Sequence, residues 1–277
     1  ANLKRPEEAL SSYDRALALK PHYVEALNTR GNVLRDLNRP EEALSSYDRA
    51  LALKPDDTDA LNNCGNALRD LRRPEEALAS LARAIEIKPD FAGAIFNRGK
   101  TFAEMDRPVE ATECYVRALE IRPDYAEVLS ERGSLLNKLK LYDEAIEDFE
   151  HLLRIDPHYP YAKGNYLHAK MYCCNWASID EDMRGVIEGV RAGEHCESPW
   201  SFLGISDSPE DQLSCARIFA ASEYPPSKDP MWKGERYGRD RIHVAYISSD
   251  FRDHATAYLI AGLFELHDRN RFVTTAI

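Results

Sequence analysis

A pattern of helix-forming and helix-ending residues recurs every 34 residues through the first half of the chain. The segment Arg5–Pro21 returns letter for letter as Arg39–Pro55, and related copies begin at Arg73, Arg107 and Leu141. A period of this length indicates helical hairpins that stack into a solenoid, in which each repeat packs only on its neighbours. Such an array offers a long curved surface to another polypeptide and no closed pocket for chemistry.

Each repeat is predicted to contain two amphipathic helices, A and B. In the second unit we expect helix A at about Val24 to Asp36 and helix B at Pro40 to Lys54. Pro40 suits a first helical turn, where its missing N–H removes no hydrogen bond, and Pro55 prevents continuation. Small residues on both helices allow close approach, with a larger side chain beside them. These positions are Gly31, Gly65, Gly99 and Gly133 on helix A, and on helix B Ala43, Ala77, Ala111 and Ala145 beside Tyr47, Leu81, Tyr115 and Phe149.

The register of small, aromatic and proline positions resembles the tetratricopeptide repeat family over about residues 1–170. The resemblance implies four full repeats, at about 24–57, 58–91, 92–125 and 126–159, with a lone helix B before them and another helix A from Tyr161. It also implies a mainly α fold, a right-handed superhelix whose helix A residues line the concave surface.

Polar side chains are expected to line that concave surface in three columns. The columns are Thr29, Asn63, Asn97, Glu131 and Asn165; Asn28, Asn62, Phe96 and Ser130; and Asn32, Asn66, Lys100 and Ser134. An amide both donates and accepts hydrogen bonds, so a row of asparagines can pair with an extended peptide backbone of any sequence. The alternative, that asparagine is simply a solvated residue here, fits the period equally well.

A fourth column carries Arg30, Cys64, Arg98 and Arg132. Long arginine stems can pack against the helices while their charged heads reach water or neighbouring acids, which is the interpretation we favour. The alternative is a cationic stripe that binds acidic tails. A chaperone adaptor of that kind would need regularly placed Lys and Arg on helix A, and Lys100 alone fits this poorly.

The composition of the chain limits the classes of binding partner and the cellular compartment that we expect. The net charge of −11 argues against nucleic acid or an anionic membrane as the main partner. The six cysteines form no C-x-x-C pair and no zinc-binding spacing, so we expect free thiols, no metal site and a reducing, cytoplasmic compartment. The most apolar segment, residues 257–266, is too short to cross a bilayer.

The repeat period ends after Lys170. Residues 171–238 read as a connecting segment with helices from Asp180 to Arg191, which Gly193 could cap, and from Ser208 to about Ser222. An extended linker follows at 224–230. We expect the three tryptophans of this segment to be buried anchors rather than ligand platforms. They are Trp176, Trp200 and Trp232.

Residues 239–277 read as a β–α–β unit, with strands at Arg241–Ile247 and Phe272–Ile277, a loop at Ser248–His254 and a helix at 255–267. Such a unit opens a doubly wound domain, whose ligands bind beyond the carboxyl ends of its strands. The loop contains neither glycine-rich nucleotide motif, so a dinucleotide site and a P-loop lack support.

The run Val244–Leu259 resembles the start of the catalytic region of O-linked N-acetylglucosamine transferases and the related SPINDLY proteins, and Tyr172–Trp176 resembles their junction. The resemblance implies a truncated first lobe of the two-lobed GT-B architecture. It implies His254 near the active site, and Asn63, Asn97 and Asn165 on the ladder that holds extended segments of acceptor proteins. A UDP-sugar donor is implied only for a longer parent, so the chain itself is expected to lack cofactors and turnover.

Neither end of the chain has a natural cap, so we expect a piece of a longer protein. Two functions stay open. One is the acceptor-binding part of a protein O-glycosyltransferase, and the other is a non-enzymatic scaffold for protein–protein interaction.

Overall fold

The computed structural model describes residues 6–225, 240–246 and 268–276. The chain divides into two compact units, Ala1–Pro225 and Pro226–Ile277. The described part of the first unit is helical, and that of the second contains two strands.

The helices of the repeat region follow the predicted period. They are α1 (Pro6–Leu19), α2 (Val24–Asp36), α3 (Pro40–Leu53), α4 (Thr58–Asp70), α5 (Pro74–Ile87), α6 (Ala92–Glu104), α7 (Pro108–Ile121), α8 (Ala126–Lys138), α9 (Tyr142–Ile155) and α10 (Ala162–Tyr172). The first turns of α3, α5 and α7 begin with proline, as expected from the missing N–H. Lys54 is the C-cap of α3 rather than its last helical residue.

The glycine of each helix A lies against the large side chain of the helix B that follows it. A Cβ atom added to Gly31 would be 2.3 Å from the ring of Tyr47, and one added to Gly65 would be 2.6 Å from Leu81. Gly99 meets Tyr115 in the same way at 2.6 Å, and Gly133 meets Phe149 at 2.9 Å. The helix B alanines are fully buried, at Ala43, Ala77, Ala111 and Ala145. The prediction that small residues bring the two helices together is therefore confirmed.

Helix A ends in the same turn in four consecutive repeats. In the first of them, the Asn38 N–H donates to the carbonyl of Arg35 at 2.8 Å, and the Arg39 N–H donates to that of Leu34 at 2.9 Å. This is the Schellman arrangement, which needs one residue with positive φ. That residue is Asn38, Arg72, Asp106 and Lys140 in turn, with φ of 57° to 62°. Because no glycine marks them, the sequence pattern did not predict these turns.

The connecting segment forms three further helices, α11 (Ile179–Arg191), α12 (Pro199–Phe202) and α13 (Pro209–Glu223). Gly193, with φ of 86°, caps α11 with the same pair of backbone bonds, as predicted. The Ser208 side chain accepts the Asp211 N–H at the start of α13. Leu167 of α10 shares a core with Val186 of α11, so this segment continues the packing of the repeats.

The tryptophan prediction is wrong for two of the three residues. The side chains of Trp176 and Trp200 are 59% and 84% exposed. Trp200 lies in the single-turn helix α12, where Phe202 takes the buried position. A helix of four residues makes about one turn, so its side chains point in all directions and only some of them can face the core. Trp232 lies outside the described residues.

The second unit contains β1 (Ile242–Tyr246) and β2 (Phe272–Ala276), which pair in parallel with Ile242 opposite Phe272. β1 begins one residue later than predicted, since Arg241 forms a bend, and β2 begins at Phe272 as predicted. A parallel pair requires a crossover connection; the loop and helix predicted for it, residues 248–267, lie outside the described residues. The domain boundaries at 170 and 238 stay predictions, and one strand pair does not show a GT-B lobe.

The close contact between glycine and aromatic ring can be tested by adding a methyl group. Gly31→Ala is expected to lower the free energy of unfolding by about 1–3 kcal/mol, because the Tyr47 ring must move. Gly185→Ala in α11 is the matched control: its new Cβ meets nothing within 4 Å, and alanine should raise the free energy of unfolding by about 1 kcal/mol. Urea titrations followed by circular dichroism measure both. Equal effects of the two substitutions would show that the helix A–helix B contact is not tight.

Candidate protein-binding surface

Two of the predicted ladder amides and one amide of the adjacent column form a hydrogen-bonded cluster across two repeats. The Nδ2 of Asn97 in α6 donates to the Oδ1 of Asn62 in α4 at 2.8 Å. The Nδ2 of Asn62 donates in turn to the Oδ1 of its neighbour Asn63 at 3.4 Å. The 34-residue period places these residues side by side, and all three are half-buried. The cluster therefore combines the first and second columns rather than following the first alone.

The cluster keeps one donor and one acceptor for another molecule. Within the described part of the chain, the Nδ2 of Asn63 donates to no other group and the Oδ1 of Asn97 accepts from none. A peptide group offers the complementary N–H and C=O. The two amides can thus pair with an N–H and a C=O from different peptide units of an extended backbone without breaking their own hydrogen bonds.

The hydrogen bonding of the third column differs between repeats, because the residue that faces it from helix B differs. Asn32 accepts a 2.7 Å hydrogen bond from the hydroxyl of Tyr47. Burial raises the pKa of Tyr47, so that hydroxyl stays protonated and donates. One repeat later Leu81 replaces the tyrosine and has no hydroxyl. The Oδ1 of Asn66 is buried and has no partner in the described structure.

Supplying the missing donor should stabilise the second repeat. Leu81→Tyr places a hydroxyl where Tyr47 has one, so it is expected to unfold at higher urea than Leu81→Phe. The difference should be about 1 kcal/mol, the net value of one hydrogen bond. The phenylalanine variant is the control for the added ring. Equal stability of the two variants would mean that the hydroxyl does not reach Asn66.

The third repeat replaces two amides with a cation and an aromatic ring, and the fourth replaces one with an acid. The Nζ of Lys100 lies 3.1 Å from the Oε1 of Glu131 and 5.6 Å from the centroid of the Phe96 ring. Phe96 also contacts Tyr125, at 5.4 Å between ring centroids. Glu131, which departs from the asparagine pattern, therefore neutralises Lys100 on the same surface.

The remaining column residues do not extend the amide cluster. Thr29 donates through Oγ1 to the carbonyl of Glu25 in its own helix at 2.8 Å. The Oδ1 of Asn28 is buried without a partner among the described residues. The backbone carbonyl of Asn165 accepts from Asn137 at 3.3 Å. No hydrogen bond in the described structure joins Thr29, Asn28 or Asn165 to the cluster, so the described side chains form a local cluster rather than a continuous ladder.

Arg30 and Arg132 of the fourth column tie helices A and B together, which supports the packing interpretation at these two positions. The Nε of Arg30 is 2.7 Å from Asp14, and its Nη1 donates to Ser46 at 2.6 Å. Arg132 makes a two-pronged contact with the buried carboxylate of Asp148. These guanidinium groups are already engaged, so they do not form a free cationic stripe.

A buried lysine that the sequence did not single out anchors the end of the repeat region. Lys170 is 2% exposed. Its Nζ donates to the carbonyl of Ala177, to Ser178 and to the carboxylate of Asp182. Burial disfavours the charged form, but the hydrogen bond and charge of Asp182 outweigh it, so the pKa of Lys170 is raised. The lysine is a structural tie between α10 and α11.

The sequence singles out one candidate catalytic residue and no metal ligands. His254 lies outside the described residues, so its expected place near an active site stays a prediction. No group of three His, Cys, Asp or Glu side chains in the ranges 6–225, 240–246 and 268–276 could hold a metal ion. Over the same ranges, every helix is too short or too polar to cross a bilayer.

Sequence comparison identifies the repeats. The tetratricopeptide repeat profile matches residues 1–58, 28–92 and 96–160, which together make up more than half of the chain. The chain belongs to the tetratricopeptide repeat family. No curated protein matches the sequence.

Solved tetratricopeptide repeat proteins share the fold at low sequence identity. PilW, described as a widely conserved type IV pilus biogenesis factor, has a TM-score of 0.61 at 20% identity and covers 67% of this chain and 86% of its own. Pseudomonas aeruginosa pilF has a TM-score of 0.59 at 21% identity, covering 68% and 84%. YrrB, described as having an unusual peptide-binding site, has a TM-score of 0.51 at 20% identity, covering 74% and 97%. These matches do not support the resemblance to O-linked N-acetylglucosamine transferases.

Proposed function

We propose that this tetratricopeptide repeat protein is an interaction scaffold whose helix A surface binds extended segments of partner proteins. The observation that carries the proposal is the amide cluster of Asn62, Asn63 and Asn97, which satisfies itself and still offers one donor and one acceptor. Because an amide hydrogen-bonds to the peptide backbone rather than to a side chain, such a surface can bind peptides of many sequences.

Two further features favour a polar, uncharged ligand backbone over an acidic tail. Lys100 is paired with Glu131, and the arginines Arg30 and Arg132 are paired with acids of helix B. The fold also serves peptide binding elsewhere, since YrrB is described as a tetratricopeptide repeat protein with a peptide-binding site.

A more specific candidate is the acceptor-binding part of a protein O-glycosyltransferase. The observation that favours it is the parallel pair of β1 and β2, the arrangement that a β–α–β unit requires. The run that resembles that family begins within β1 and ends before β2. On this proposal a longer parent would bind the UDP-sugar, and the chain described here would supply the grip on the acceptor. All six cysteines are unpaired, which supports a reducing, cytoplasmic compartment.

Removing the free donor and acceptor tests the scaffold proposal. Asn63→Ala combined with Asn97→Ala is expected to weaken binding of a fluorescein-labelled, unstructured Ser/Thr-rich peptide about tenfold, the loss of one to two hydrogen bonds. Fluorescence anisotropy measures the affinity, and circular dichroism checks that the solenoid stays folded. Ser45→Ala, on the exposed face of α3, is the control and should change nothing. Unchanged affinity of the double variant would refute a binding role for the cluster.

The glycosyltransferase candidate is tested separately through His254. In a longer chain that carries the donor-binding lobe, His254→Ala should lower transfer from UDP-N-acetylglucosamine by about a hundredfold, the usual contribution of a general acid or base. The control is His243→Ala in β1, an exposed histidine of the same region. Full activity of His254→Ala would leave the histidine structural, whereas absence of transfer in the unmodified longer chain would refute the enzyme candidate and leave the scaffold proposal standing.

A further inference from the structure

The exposed face of α7 carries an apolar groove that is distinct from the helix A surface. The groove has a volume of about 550 Å³. Its apolar lining comes from α7 and from the turn between α8 and α9, and consists of Pro108, Val109, Val116, Leu139 and Leu141. Val109 is the most exposed of these, at 67%. Contiguous exposed apolar surface on a folded protein marks an interaction site more often than isolated exposed residues do.

The repeat provides an internal control, because the same position can be compared in several units. Val109 is replaced by an acid one and two repeats earlier, at Glu75 and Glu41. The position of Val116 is Ala82 in the preceding repeat and Asp48 in the one before it. The solenoid therefore folds with charged or small residues at these positions, and its packing does not require valine at either.

Leu141 also departs from the repeat, and this substitution removes an ion pair. In the three preceding repeats this position is an arginine that pairs with a glutamate three residues later, as in Arg39–Glu42 at 2.6 Å and Arg73–Glu76 at 2.6 Å. Leu141 forms no such pair with Glu144 in the described structure and is 43% exposed. Three departures from the repeat thus remove charge or add apolar area around one groove.

Acidic side chains border the groove. Glu113 stands where the preceding repeats have Ala79 and Ser45, so this acid is absent from the two preceding B helices. Glu120 lies at the other end of the groove. The one nearby cation of its lining, Arg117, donates to the carbonyl of Pro89 at 2.8 Å. Neither Glu113 nor Glu120 forms an ion pair in the described parts of the chain, so the border is open to a positively charged partner.

The spacing of the apolar residues indicates the shape of the occupant. Val109 and Val116 are seven residues apart on one helix, so their side chains lie on the same face at a distance of about 10 Å. A partner helix with apolar residues at i and i+7 matches that distance, and helices commonly bind by laying an apolar face into such a groove.

We propose that the α7 groove binds a basic amphipathic helix of another protein, with apolar side chains against Val109, Val116 and Leu141 and Lys or Arg beside Glu113 and Glu120. A second copy of the chain fits less well. It would bring a second acidic border against the first, and like charges across an interface oppose association.

Binding by the groove can be tested by replacing its apolar residues with those found at the same positions in the preceding repeats. The variant Val109→Glu, Val116→Asp, Leu141→Arg should fold, because the same side chains occupy these positions in the first repeats. The probe is a labelled Leu/Lys amphipathic peptide of about 15 residues, long enough for a helix to form on the surface. Anisotropy should show about tenfold weaker binding to the variant than to the unmodified protein. Equal binding would overturn the proposal.

Two controls distinguish this groove from general attraction to an acidic protein. The same peptide with Glu in place of Lys should bind at least about tenfold more weakly. The reciprocal variant, Glu75→Val, Ala79→Glu, Ala82→Val, Arg107→Leu, copies the groove onto α5 and should add a second binding site to the titration. Equal affinity for the Glu peptide, or no second site, would contradict the proposal. Sedimentation measures whether the protein forms a dimer. If the unmodified protein is a dimer and the triple α7 variant is a monomer, the groove binds a second copy of the chain and the proposal is wrong.

Discussion

The contact between the glycine of each helix A and the large side chain of the next helix B governs the rest of the solenoid. At Gly31 and Tyr47 the approach is so close that no Cβ fits between them. It fixes the distance between the two helices of a hairpin, and the period of 34 residues then repeats that distance along the array. Columns such as Asn63 and Asn97 face the same side only because every hairpin has the same geometry.

Positions that carry the same kind of residue in every repeat are those that the packing of the helices requires. Positions that differ between repeats change the surface chemistry of one repeat. The glycine and alanine positions belong to the first kind. Leu81 belongs to the second, because it lacks the hydroxyl of Tyr47 and leaves the Asn66 oxygen unpaired. Lys100 and Val109 also depart from their columns, and each departure changes the chemistry of a surface while the hairpin beneath stays the same.

Helix positions follow from the sequence because helix signals are local: Pro40 at a first turn and Gly193 after a last turn are sufficient to place boundaries. Side-chain pairing does not follow in the same way. The hydrogen bond from Asn97 to Asn62 joins neighbouring columns in neighbouring repeats, and the choice between that contact and solvent depends on interatomic distances. The exposure of Trp200 does not follow from the sequence either, since residue type alone does not show which side of a one-turn helix faces the core.

The amide cluster and the apolar groove lie on different helices of the array, and this separation has a consequence for how the protein can assemble partners. The cluster belongs to α4 and α6, whereas the groove belongs to α7 and the turn before α9. The two surfaces nevertheless share one repeat, because α6 carries Asn97 and α7 carries Val109, and these two helices pack on each other. Helix B also has its own packed core residues, such as Tyr115, between the groove and helix A. An extended segment on Asn63 and Asn97 and a helix on Val109 can therefore be held at once, and binding at one surface can influence the other through the packed core of their common hairpin.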